Sequence, residues 1–244
     1  KMKLLRRNYQ DAVVTGTSMI AAGILALLPT IILATDTHAA TNGRIAENPA
    51  WATLPLSLNL LGTMSSGIPA SLLMQRIGRR NGFRIGTVVG LLGALLNIYA
   101  IQSESFTLFC LGSYLIGCLL GFGQLYRFAA IEVTPEEHKA RAVSLVLFGG
   151  IFSGILGPGI AFLTKDWVEG APFMGSYQSL IGLYILVFLL LQLVDLPKPT
   201  ASEQHPRTRP FWEIMRQTSW KISVLSAALG YVAMALIMTA TPLS

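Results

Sequence analysis

Charge is what this sequence has least of. Asp, Glu, Lys and Arg together make up 12% of its 244 residues, about half the roughly 25% of a soluble globular domain. So few charges cannot cover a water-facing surface, which excludes a soluble fold, and the mean hydropathy of +0.57 agrees. Cysteine is nearly absent as well. Cys110 and Cys118 share one apolar stretch; they suggest neither a disulfide framework nor a zinc site and read as buried thiols. His38, His138 and His205 fall at unrelated spacings, which is poor material for a metal. With 52% apolar residues, disorder is excluded. There is no phosphate-binding glycine loop with lysine, no metal-spaced cluster and no nucleophile beside an intramembrane base. No enzyme is read from this chain, and no cofactor or metal is expected.

What the sequence does have is seven uncharged runs: Ala12–Thr35, Asn48–Gln75, Ile85–Ser103, Ser105–Tyr126, Ala142–Thr164, Gly170–Val194 and Ile222–Ser244. A bilayer-spanning helix needs about 20 mostly apolar residues. Hydrocarbon offers the backbone no hydrogen-bond partner, so each run must bond within itself as a helix. The runs do not alternate as the strands of a membrane barrel do. Lys1, Lys3, Arg6 and Arg7 precede the first run and Thr37-His38-Ala39 follows it, in the manner of a cleavable signal. A signal's apolar core spans only about 7–15 residues, so the longer first run is read as a retained helix.

Lys and Arg set the orientation. With a cytoplasmic N-terminus, all 18 Lys and Arg lie inside except Arg44 and Lys165. The net charge of +6 is therefore a topology signal, and no nucleic-acid partner is implied. Inside-facing Arg and Lys can also touch anionic lipid headgroups. After Asp195 come Pro197, Pro199, Pro206 and Pro210 among polar residues, a proline-rich connector. The fold expected is all-α and membrane-embedded. Residues 1–196 form a six-helix transmembrane bundle, 197–219 a cytoplasmic linker, and 220–244 a seventh helix belonging to an incomplete second bundle. The leading Lys1 and the odd helix after the linker point to a fragment, with the C-terminal half of the same chain missing.

Between the second and third runs stands Ser71-Leu-Leu-Met-Gln75-Arg76-Ile77-Gly78-Arg79-Arg80. This resembles the cytoplasmic loop signature of the major facilitator superfamily: glycine, three residues, aspartate, a basic residue, any residue, glycine and two basic residues. Arg76, Gly78, Arg79 and Arg80 match, whereas Ser71 replaces the first glycine and Gln75 the aspartate. Gly78 permits a tight turn within a loop of several residues, and the arginines suit headgroups and helix C-terminal carbonyls. Losing the aspartate removes a charge pair with which the family latches its halves. The fifth run carries Ser153-Gly154-Ile155-Leu156-Gly157-Pro158-Gly159-Ile160-Ala161, similar to the superfamily's helix-five glycine–proline signature found in antiporters. Gly154, Gly157 and Pro158 carry that likeness. Glu132-Val-Thr-Pro135-Glu-Glu-His-Lys139-Ala-Arg141 looks like the family's acidic–proline–basic connector. The family's usual arginine in helix four falls near Ser113 and is absent.

The resemblance implies a secondary transporter. It moves a small-molecule substrate by alternating access between two six-helix bundles, with protons as a candidate coupling ion. A non-transporting membrane scaffold or sensor is the alternative, followed by a membrane-embedded enzyme or the permease subunit of an ATP-driven transporter. Arg127 lies near the cytoplasmic end of the fourth run and admits two readings. As a cavity cation it meets an anionic substrate or Asp11; as an interfacial side chain it snorkels to headgroups. Asp11 either caps the first helix or carries a proton. Glu132 is a candidate gate partner for Arg76 or Arg79, or else a solvated loop carboxylate. Gln124 and Tyr126 are candidate substrate contacts. Asn59, Asn97, Tyr114 and Gln192 share with them the alternative of helix–helix hydrogen bonding.

Overall fold

A computed structural model of the chain describes Trp51 and residues 54–126, 128, 140, 144, 148, 156–157, 159–164, 166–168, 174–193 and 216–240. Its long helices are α1 (Leu54–Ile77), α2 (Arg79–Gln102), α3 (Phe106–Gly123), α4 (Met174–Leu193) and α5 (Thr218–Ala240). No strand occurs among the described residues, and the architecture is that of a helical membrane protein. The first six runs fall in one compact unit, residues 1–199, and α5 in a second, residues 200–244. The second, third, fourth and sixth runs correspond to α1, α2, α3 and α4. The first run and most of the fifth lie outside the described residues, as does the connector up to residue 215.

By length and composition α2, α3 and residues 174–192 of α4 can each cross a membrane. α1 is as long as α2 but carries Asn59, Thr63, Ser65 and Ser66. The polarity of α1 is answered by its neighbour. Asn59 Nδ2 donates to the Ser113 carbonyl at 3.3 Å. Thr63 Oγ1 donates to the Gly117 carbonyl at 3.1 Å and Ser66 Oγ to the Cys118 carbonyl at 3.0 Å. The donors Asn59, Thr63 and Ser66 follow one another at four- and three-residue steps, one face of α1, and their acceptors are the Ser113, Gly117 and Cys118 carbonyls of α3. They are the kind of inter-helical bond that holds helices together where lipid supplies no hydrophobic driving force.

Such bonds need the two backbones close together. A β-carbon at Gly117 would overlap the Asn59 carbonyl oxygen and sit 2.8 and 2.9 Å from the Asn59 C and Cα. Gly62 makes the reciprocal approach to the Tyr114 carbonyl and lies 3.0 Å, by the same measure, from the Cys118 nitrogen. α3 thus wedges against α1 on one side and α2 on the other, while α2 also packs along α4. Phe83, Phe109, Ile116, Leu119, Tyr177 and Leu180 fill the core. Phe109 meets Tyr177 edge-on with ring centroids 6.0 Å apart. At the other side of α4, Ser176 Oγ donates to the Ala161 carbonyl at 3.0 Å, and Thr164 Oγ1 lies 3.2 Å from Ser176 Oγ.

α1 and α2 are joined differently from expectation. The sequence suggests a loop of several residues; the structure has Gly78 alone between Ile77 and Arg79. The reason is that Arg79, Arg80 and Arg84 do not interrupt the helix but form its first turns. Charge ends an apolar run without ending helical hydrogen bonding. Gly78 turns the chain with φ 88° and ψ 155°, a region open essentially to glycine.

Candidate functional site

The described site is the basic turn at the junction of α1 and α2. The Gly78 N–H donates to the Met74 carbonyl at 2.9 Å, closing α1, and its carbonyl accepts the Gly82 N–H at 3.1 Å, opening α2. Buried Met74 occupies the space left by the missing side chain of Gly82. Asn81 Nδ2 donates back to the Ile77 carbonyl at 3.2 Å, and Arg84 Nη1 donates to Asn81 Oδ1 at 3.3 Å.

Taken alone, this helix start is electrostatically poor. Arg79 and Arg80 stand in the first turn of α2, where the macrodipole favours anions, and that turn holds no acidic residue or side-chain cap. The compensation comes from α4. Arg80 Nε donates to the Leu191 carbonyl at 3.1 Å and Arg80 Nη2 to the Gln192 carbonyl at 2.5 Å. The guanidinium fork thereby satisfies two of the carbonyls that every helix C-terminus leaves open. It places positive charge at the negative end of the α4 dipole. Arg84 Nη2 donates to Gln192 Oε1. Gln192 is thus engaged in helix–helix bonding, as are Asn59 and buried Asn97, whose Nδ2 reaches Ser113 Oγ at 3.5 Å.

Replacing Arg80 by alanine is expected to destabilise the protein by about 2 kcal/mol, the scale of hydrogen bonds to a charged group. Lysine should restore less than half, since an ammonium lacks the fork. Thermal unfolding in detergent measures both; a fully restored Arg80→Lys protein would show that charge alone acts there.

The remaining candidates are placed as follows. Arg76 is exposed in the last turn of α1, and Gln75 beside it is exposed where the family signature has its aspartate. Gln124 is exposed just past α3, its N–H on the Leu120 carbonyl at 3.0 Å. Tyr126 is buried, its ring stacked on Phe83 with centroids 3.9 Å apart. Among the described residues its hydroxyl has no hydrogen-bond partner, and the ring packs under the basic turn. Gly157 is buried within a helical stretch. Asp11, Arg127, Glu132, Gly154 and Pro158 lie outside the described residues. Arg84 is the contributor that sequence reasoning missed. It lies four residues after Arg80, on the same helix face, and that spacing was the available signal.

The Major Facilitator Superfamily family model matches residues 12–244. A curated relative, the riboflavin transporter RfnT of Brucella anthropi, is 34% identical over 203 residues, covering 82% of this chain and 51% of that protein. The MFS-type transporter YdeG of Bacillus subtilis is 26% identical over 93% of this chain and 54% of its own length. The chain spans about half the length of the curated relatives it matches. Among solved structures, the proton:xylose symporter XylE aligns with a TM-score of 0.66 at 15% identity, over 78% of this chain and 46% of that one. The E. coli fucose:proton symporter FucP aligns with a TM-score of 0.54 at 20% identity, over 85% and 55%. At these identities the solved structures speak for the fold alone.

Proposed function

Because the chain belongs to the major facilitator superfamily, we propose that it works within a gradient-driven secondary transporter that carries a small solute by alternating access. The observation that supports this most is the 34% identity to a riboflavin transporter across 82% of the chain. It makes a flavin-class solute, flat and hydroxylated, the substrate to test first. The solute and the lipid bilayer are its partners, and a proton is the coupling ion of first choice. Lys and Arg sit on one side of the runs except for Arg44 and Lys165, which supports a plasma-membrane protein with its N-terminus in the cytoplasm.

Uptake of radiolabelled riboflavin into proteoliposomes holding the full-length protein tests the proposal. Uptake is expected to saturate, to need no ATP, and to collapse when an ionophore dissipates the proton gradient. Uptake no greater than in empty liposomes would overturn the flavin assignment. Uptake that required ATP would overturn the gradient-driven mechanism.

A further inference from the structure

α1 is held in two different ways along its length. Its first part is fastened to α3. The side-chain hydrogen bonds between the two helices involve Asn59, Thr63, Ser65 and Ser66. Gly121 of α3 admits the Thr63 carbonyl, which lies 2.7 Å from where a β-carbon would stand. Beyond Ser66, among the described residues, no side-chain hydrogen bond joins α1 to α3.

The change falls at Ser65-Ser66-Gly67-Ile68-Pro69. Pro69 lies inside the helix. It has no N–H, so the Ser65 carbonyl loses its helical donor, and the ring crowds that carbonyl. Helices kink at prolines and at Gly/Ser pairs, and this stretch has both. Side-chain bonds compete with the backbone ladder on either side of the break: Ser65 Oγ donates to the Gly62 carbonyl at 3.2 Å and Ser71 Oγ to the Ile68 carbonyl at 2.9 Å. There is room for movement as well. Ile68 is 70% exposed, Pro69 is exposed, and no atom lies within 4 Å of a β-carbon added at Gly67.

Residues 70–77 beyond the break form an arm about 12 Å long. Its buried side chains are Ala70 and Met74. Met74 rests on Gly82, and an unbranched thioether re-packs readily. The far end of the arm is Gly78, whose φ of 88° makes it a second joint. Asn81 Nδ2 on the Ile77 carbonyl is the side-chain bond that ties the arm to α2. The surroundings are stiffer. β-Carbons at Gly93 and Gly112 would each stand 2.9 Å from the other's carbonyl oxygen, so α2 and α3 meet backbone to backbone. α2, α3 and the first part of α1 are thus a frame, and the arm is jointed to it at both ends.

We propose that residues 65–69 are a hinge, and that the arm 70–77, swinging between this hinge and Gly78, gates the basic end of the solute path. The gating role rests on the transporter reading; the hinge does not.

Pulsed electron paramagnetic resonance on the full-length protein in proteoliposomes tests the hinge, in a background whose native cysteines are alanine. One spin label sits at Leu95 of α2. The other sits at Leu61, before the hinge, or at Gln75, on the arm; all three positions are exposed. The Leu61–Leu95 distance distribution should be narrow. The Gln75–Leu95 distribution should be broad or double, and Pro69→Ala, which restores the missing N–H at an exposed position, should narrow it to the width of the first. Riboflavin uptake then reads the gate. Pro69→Ala should raise the unfolding midpoint yet lower the maximal rate about tenfold with KM within about twofold, as a slowed conformational step does. A wild-type Gln75–Leu95 distribution as narrow as Leu61–Leu95, or one that Pro69→Ala leaves unchanged, would overturn the hinge. Narrowing with an undiminished maximal rate would overturn the gating role. Broad wild-type distances that Pro69→Ala narrows, with no riboflavin uptake in wild type, would overturn the flavin assignment and leave the hinge standing.

Discussion

Alanine at Gly117 is expected to lower stability by about 3 kcal/mol, at the upper end for overpacking, although it adds a single methyl group. The methyl would fall onto the Asn59 carbonyl, with other backbone atoms of Asn59 within 2.9 Å. A flexible side chain could swing away from it; a helical backbone cannot. Relief therefore requires α1 and α3 to separate. Separation stretches Thr63 from the Gly117 carbonyl, Ser66 from the Cys118 carbonyl and Asn59 from the Ser113 carbonyl. Gly182→Ala is the matched control, because no atom lies within 4 Å of its added methyl; it should stay within about 0.5 kcal/mol of wild type. Thermal unfolding of both proteins in detergent decides the matter. Equal midpoints for the two variants would mean that α1 and α3 are not in backbone contact.

Valine at Gly78 should cost about 2–3 kcal/mol, through conformation and not crowding. At φ 88° and ψ 155° a β-branched residue is a strong outlier. The backbone must rotate to accommodate it, and this one residue is the whole connection between two helices. Rotation there moves the Met74 and Gly82 bonds on either side and carries Arg80 away from the end of α4. Gly78→Ala should show a smaller loss of the same sign. The check is the unfolding midpoint of both variants. A Gly78→Val protein as stable as wild type would contradict the left-handed turn.

The spans were legible because the bilayer imposes a coarse rule: a helix in hydrocarbon excludes charge over its length. The loop signature was legible because its glycine has a conformation that other residues avoid. What could not be read was partnership. Asn59, Asn97, Tyr114 and Gln192 looked alike as uncharged polar residues within runs. Their separation depends on helix rotation, which buries Asn97 beside Ser113 and leaves Tyr114 at the surface with Ser65. Composition contains no such angle. The absence of the family's helix-four arginine at Ser113 also gains a context. Ser113 is fully buried in this structure and faces Asn59 and Asn97. Arg80 shows the same limit from another side. Helix C-terminal carbonyls were among the partners its charge suits, but which helix it finishes was not legible: that helix ends more than 100 positions away in the chain.

The short joints around α2 also govern the order in which the chain can assemble. One residue links α1 to α2, and residues 103–105 link α2 to α3, so this trio finds its partners among immediate sequence neighbours. α4 begins at Met174, well after α3 ends at Gly123, a gap that takes roughly 3–10 s to synthesise. The α1–α3 core is therefore complete in chain terms while the ribosome is still working toward α4. Until Leu191 and Gln192 emerge, Arg80 has no helix end to cap. Closure of the basic turn is consequently a late event in biogenesis, waiting on the last turn of α4.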